Sequence, residues 1–173
     1  MKALYRFGHV RPWWPDDYKK LNYIYYPLTN VNDEQRWKSQ GYHRLTLNGG
    51  LYSMKQSMPE YSYPFFSLFD WQNVGVAFYR MDTLCALPLH QDSYNSYKKM
   101  FDIQDPSVIW RCIVFLEDWK SGHYFEIDGS AHMNWRAGDY VMWNNDVPHY
   151  AGNFGLEPRY TMQITGMQNE KIN

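Results

Sequence analysis

The chain has 173 residues, a formal net charge of −1 and 45% hydrophobic residues, which is enough for one good core and too little for two ordinary domains. No run of lysine and arginine is long enough to follow a phosphate backbone, no stretch approaches the roughly 20 apolar residues of a membrane helix, and Met1 to Arg6 lacks the apolar core of a signal peptide. These features weigh against nucleic acid and membrane as partners, and the expectation is a soluble, cytoplasmic protein built as one domain over residues 1–173.

In chain order, residues 16–20 follow Pro15 as a possible helix, although the tyrosine-rich continuation suits a strand equally well. Residues 32–41 carry a polar N-cap, an acidic first turn and a terminal glycine, so a short helix is expected there. Residues 45–52 read as a β-hairpin around Asn48-Gly49, and residues 58–70 as an ordered loop packed by its aromatics. From residue 74 onward the pattern becomes a succession of short strands: 74–80, 84–87, 108–116, 123–127, 132–135, 140–143, one beginning at 147–149, and 159–165. Turn residues separate them, at Asp128-Gly129, Ala137-Gly138-Asp139 and Asn144-Asn145-Asp146. Residues 108–116 are the most β-favouring run, rich in branched and aromatic side chains, and are expected to be central.

The chemistry is concentrated in His90, Asp92, His149, Arg159 and Thr161. Two imidazoles and a carboxylate can occupy one face of an octahedral Fe(II) and leave three positions open. His90 and Asp92, two apart, leave the same face of an extended strand. His149 follows after room for about four short strands, a spacing that fits a jelly-roll barrel. Arg159 falls about one strand and one turn later. Its guanidinium can read a carboxylate bidentately, and Thr161, on the same strand face, can add a hydroxyl to the same group.

This pattern resembles the Fe(II)- and 2-oxoglutarate-dependent oxygenases, in particular their small single-domain microbial and phage members. His90-Gln91-Asp92 and His149 match that family's metal triad, and Arg159-Tyr160-Thr161 its Arg-x-Ser/Thr motif, over roughly residues 74–166. The resemblance implies a mainly β fold, a double-stranded β-helix with a few short N-terminal helices, in which residues 1–73 pack as an extension on a core of residues 74–166. It also implies Fe(II) on His90, Asp92 and His149, and 2-oxoglutarate with its distal carboxylate on Arg159 and Thr161. Reaction with O2 would release succinate and CO2 and hydroxylate an unidentified small molecule, amino acid or peptide. Asp92 disfavours the family's halogenating variants, which lack that carboxylate.

Two other readings compete. Gly138-Asp139, Pro148-His149 and Asn153 partly resemble the second motif of the cupins, a further class of jelly-roll metalloenzymes. That family's first motif needs His-x-His with a nearby glutamate, where this chain has His90-Gln91-Asp92. The other alternative is a non-catalytic jelly-roll that binds a small molecule or partner through its aromatic surface.

His9, His43, His123 and His132 have no partner at ligand spacing and read as surface or satisfied strand histidines. Cys85 and Cys112 lie in strand-like sequence with no zinc or Cys-x-x-Cys spacing and read as buried reduced thiols. Tyr79, Trp110, Arg111 and Phe115 are candidates for the pocket wall, their facing dependent on a register that alternation alone does not fix. Substrate choice is expected to lie with residues 1–73 and the loop 93–107.

Overall fold

The computed structural model describes residues 5–26, 31–144 and 147–168. Their strands are β1 (Tyr5–His9), β2 (Ile24–Tyr25), β3 (Thr46–Leu47), β4 (Gly50–Ser53), β5 (Trp71–Met81), β6 (Cys85–His90), β7 (Ile109–Phe115), β8 (His123–Ile127), β9 (Ser130–His132), β10 (Asp139–Asn144), β11 (His149–Asn153) and β12 (Arg159–Gln168). Two α-helices, α1 (Val31–Ser39) and α2 (Asn95–Phe101), accompany them, with short 3-10 helices at Asp16–Lys20 and Glu60–Ser67. The strands form a seven-stranded sheet in the order β1-β10-β7-β12-β5-β4-β2 and a five-stranded sheet in the order β3-β6-β11-β8-β9. The fold is mainly β, a double-stranded β-helix.

Alternation along the long strands divides the apolar residues between two cores. On β12, Tyr160, Met162 and Ile164 point away from the barrel, joined by Val76 and Phe78 of β5 and Cys112 and Val114 of β7. That outer face is covered by Trp14, Tyr18, Tyr23 and Phe65. The opposite parity, Ile113 and Phe115 of β7, Val141 and Trp143 of β10 and Tyr79 and Met81 of β5, meets Phe125, Ile127 and Ala151 of the smaller sheet. Much of the chain before residue 74 therefore hides the back of the large sheet. Each large apolar side chain buried this way is worth about 1.5–3 kcal/mol. β1 to β4 are also hydrogen-bonded directly into the two sheets.

Several expectations are met in the structure. β7 is an interior strand between β10 and β12. β8 and β9 form a hairpin whose turn residues Asp128 and Gly129 have φ of 49° and 75°, the pair of left-handed residues that a two-residue turn needs. Cys85 and Cys112 are buried free thiols.

Others are corrected. Residues 45–52 are not a hairpin: β3 pairs in parallel with β6, whereas β4 pairs antiparallel with β5 in the other sheet. Asn48, at φ 75°, and Gly49 carry the chain across instead, and a Cβ on Gly49 would lie 2.4 Å from the Arg80 carbonyl oxygen. The Asn-Gly signal was a sheet-to-sheet crossing. The eight strands expected from residue 74 onward are present as β5 to β12, whereas β1 and β2, which precede them with β3 and β4, are too short to show a readable pattern. Residues 93–107 contain α2, and residues 16–20 form a 3-10 helix. The strand expected at 132–135 ends at His132, and Trp135 leaves the sheet to stack on Phe115 with ring centroids 4.0 Å apart. Of the turn expected at Asn144, Asn145 and Asp146, the first residue ends β10 and the other two lie outside the described residues.

Candidate metal centre

β6 enters the centre with Cys85 and Leu87 facing the inner core. Strict alternation would turn Leu89 inward next and His90 outward. Instead Ala151 of β11 stands opposite Leu87 and His149 stands opposite His90, so β6 spends one residue more than its partner over this stretch. The bulge leaves Leu89 51% exposed and brings His90 onto the inner side with His149, their ring centroids 4.2 Å apart. Asp92 lies just beyond the end of β6 rather than on an extended strand, as the spacing had suggested. One ligand atom from each of His90, Asp92 and His149 lies within 4.8 Å of the others, a cluster that could hold a metal ion.

Both imidazoles are oriented by the backbone. The Nδ1 of His90 is 2.8 Å from the Pro88 carbonyl oxygen and that of His149 is 3.0 Å from the Val147 carbonyl oxygen. A carbonyl can only accept, so each Nδ1 carries the proton and each Nε2 presents a lone pair. Those Nε2 atoms lie 4.0 Å and 3.7 Å from the Asp92 carboxylate. Trp143 packs against the His149 ring at 4.7 Å.

The electrostatics favour a cation. Burial pushes the Asp92 carboxyl up, but Arg111, His149 and His90 together outweigh it and hold the group at about 2. Burial, with His90 second, lowers His149 to about 4. At neutral pH the centre thus offers an ionised carboxylate beside a neutral His149, the protonation state that a divalent metal requires. Asp92 Oδ2 is buried without a hydrogen bond. The donor set of two imidazoles and one carboxylate fits Fe(II), and these atoms are oriented as such an ion needs them.

Behind the triad lies an inner cavity of about 170 Å³. His90, Asp92 and His149 border it, Arg159 and Arg111 supply its charged walls, and Ile113, Phe125, Trp143 and Ala151 its apolar ones. Arg159 is 1% exposed. It donates from a terminal nitrogen to the Tyr124 carbonyl oxygen at 2.7 Å and lies over Trp135 at 6.0 Å, while its Nε is buried with no partner. Burial lowers its guanidinium to about 10, so it remains charged at neutral pH. Among the described residues no carboxylate reaches salt-bridge distance of it. Thr161, on the same face of β12, is 1% exposed and its Oγ1 also lacks a partner, although other residues form the cavity wall.

An outer groove of about 560 Å³ adjoins the cavity at the triad. Asn48, Leu51, Leu87, His90 and Asp92 are shared by both spaces. The groove is lined by Tyr26, Trp37 and Lys55 from the N-terminal part and by Ser93 and Ser96 after the triad.

Alternation left Arg111 undecided, and β7 turns it inward with Ile113. Its Nε is 3.4 Å from Asp92 Oδ2, and its guanidinium lies 5.3 Å from the centre of the Tyr94 ring. A lone arginine in the chain's strongest strand was the signal available for it. Tyr79 also reaches the cavity, whereas Phe115 packs against Trp135 and Trp110 lies beside Arg6 and Trp71. His123 is buried, with its Nε2 3.0 Å from the Glu157 carbonyl oxygen, and His9 pairs with Asp139 at 2.8 Å.

A two-sheet barrel with His-x-Asp at one strand end and a histidine opposite it defines a double-stranded β-helix with a candidate metal centre. No protein-family model matches the chain, and no curated protein matches it. Among solved structures it is similar to a prolyl-4-hydroxylase from Pseudomonas putida, with 12% identity and a TM-score of 0.54 over 81% of this chain and 84% of that one. It is also similar to a cupin protein from Bacteroides fragilis, with 12% identity and a TM-score of 0.42 over 70% of this chain and 89% of that one. At 12% identity the likeness to the hydroxylase shows the fold alone. No helix among the described residues is long and apolar enough to cross a membrane.

Proposed function

We propose that the protein is an Fe(II)- and 2-oxoglutarate-dependent oxygenase that hydroxylates a small molecule, amino acid or peptide. The observation that carries this reading is Arg159, a buried charged guanidinium in the same cavity as the triad, with an unpartnered Nε and no carboxylate at salt-bridge distance among the described residues. An uncompensated buried charge is costly, so an anionic ligand is the natural complement. A cupin reading has no comparable use for this residue.

On this reading His90, Asp92 and His149 hold the ion, and Arg159 with Thr161 takes the distal carboxylate of 2-oxoglutarate. Bound there, iron with 2-oxoglutarate and O2 supplies the oxidising chemistry, with succinate and CO2 as by-products. The Pro88 and Val147 carbonyls keep the imidazole protons on Nδ1, away from the ion. Ile113, Phe125 and Trp143 give the inner cavity an apolar wall, and the outer groove, which reaches His90 and Asp92, would admit the substrate.

The test is an anaerobic visible-absorption titration with Fe(II) and then 2-oxoglutarate, followed by air and a succinate assay. The expected result is a charge-transfer band that needs both additions, with succinate afterwards. Bound iron without that band would favour a cupin-type metalloenzyme, and no iron binding would favour a non-catalytic jelly-roll.

A further inference from the structure

The inner cavity contains two guanidinium groups. Arg111 enters from β7 and Arg159 from β12, and both belong to its wall. Neither arginine lines the outer groove, so the two guanidiniums share the inner cavity alone. In the β7–β12 ladder Arg111 stands opposite Thr165, six residues from Arg159. That register places the two arginine backbones about 20 Å apart along the strands. Their side chains therefore enter the cavity from opposite ends.

Arg111 packs on Tyr94, and both of its polar contacts to Asp92 and Gln163 are long. Its Nε is 3.4 Å from Asp92 Oδ2 and a terminal nitrogen is 3.4 Å from Gln163 Oε1. Charge-assisted hydrogen bonds are shorter, about 2.7–2.9 Å, so the planar fork retains capacity for a closer anion. Charge balance points the same way. Two guanidiniums and a divalent ion against Asp92 would leave three positive charges around one small cavity, which a dianion offsets far better than a monoanion.

We infer that Arg111 is a second carboxylate-binding residue, which takes the metal-end carboxylate of a dicarboxylate whose far end is held by Arg159. This rests on the reading of the inner cavity as the 2-oxoglutarate site. It makes Arg111 a direct ligand-binding group rather than only a support for Asp92.

The test is calorimetric binding of 2-oxoglutarate and of 2-oxobutyrate, which lacks the distal carboxylate, to the anaerobic full-length protein saturated with Zn(II). Arg159→Met should weaken 2-oxoglutarate and leave 2-oxobutyrate nearly unchanged. Arg111→Met should weaken both by a similar factor, on the order of ten-fold or more. Arg111→Lys, which keeps the charge and loses the fork, should fall between, and serves if the methionine variant does not fold. Unchanged keto-acid binding in either folded Arg111 variant, or a loss confined to Zn(II) affinity, would overturn the inference and reduce Arg111 to orienting Asp92. If Arg159→Met left 2-oxoglutarate binding intact, the underlying reading of the cavity would fail instead.

Discussion

His90 stands opposite His149 across the β6–β11 ladder although β6 carries one residue more than β11 between that pair and the Leu87–Ala151 pair. The bulge puts both imidazoles on the inner face, and backbone carbonyls then fix their tautomers. The arrangement predicts that His90→Ala or Asp92→Ala abolishes stoichiometric Fe(II) or Zn(II) binding in a protein that still folds. Equilibrium dialysis with metal analysis checks this, and wild-type affinity in either variant would remove the pair from the ligand set.

Arg159→Ala should leave metal affinity intact, because the guanidinium is bonded to the Tyr124 carbonyl and not to a triad member. Affinity of the metal-loaded protein for 2-oxoglutarate should fall by about 1.5–3 kcal/mol, the worth of a charge-assisted pair. Titration of the charge-transfer band measures it. Equal affinity in the two proteins would show that the cavity holds a different ligand.

The convergence of His90, Asp92, His149 and Arg159 was legible in the sequence because each is a distinct chemical type at a spacing that a barrel can close. The β-run at 108–116 and the turn at Asp128-Gly129 were legible for a similar reason, since local propensity and tertiary role agree there. The facing of Arg111 was not, because a period-two pattern has two registers and only the β10–β7–β12 pairing selects one. Asn48-Gly49 misled because the same residues serve a tight turn and a sheet crossing. The element pattern before residue 74 was hard to read because Trp14, Tyr18, Tyr23 and Phe65 bury their rings on the outside of a sheet, where no period of their own is needed.

Phe65 tests that role. It is fully buried between the outer face of the large sheet and Trp13 and Trp14, with ring centroids at 4.6 Å and 5.3 Å. Phe65→Ala should lower the free energy of unfolding by about 3–5 kcal/mol, the transfer and cavity cost of a core aromatic. Metal affinity of the folded variant should not change, because the residue packs on the far side of the sheet from the cavity. Denaturant unfolding and metal titration on the same sample separate the two effects. A loss under about 1 kcal/mol would mean that the covering segment contributes little to stability.

His123 carries a pH dependence that does not depend on the metal. Burial pushes its pKa below the ordinary 6.5, against a smaller raising effect from its hydrogen bond to the Glu157 carbonyl. Between the ordinary value and the lowered one, the unfolded chain binds a proton that the folded protein refuses, so unfolding free energy rises with pH through that window. The contribution is fully present above pH 6.5 and is lost as the pH falls below it. His149, lowered to about 4, acts with the same sign, so the wild-type slope alone does not isolate His123. His123→Phe keeps a ring against Trp135, where the native pair is stacked at 6.3 Å, and removes the titration. The variant should lose about 1 kcal/mol at pH 8 with the Glu157 hydrogen bond. Its stability should then fall less steeply than that of the wild type between pH 8 and pH 5, as measured by denaturant unfolding of both metal-free proteins across the range. Parallel slopes would show that the buried ring accepts its proton as readily in the folded state as in the unfolded chain.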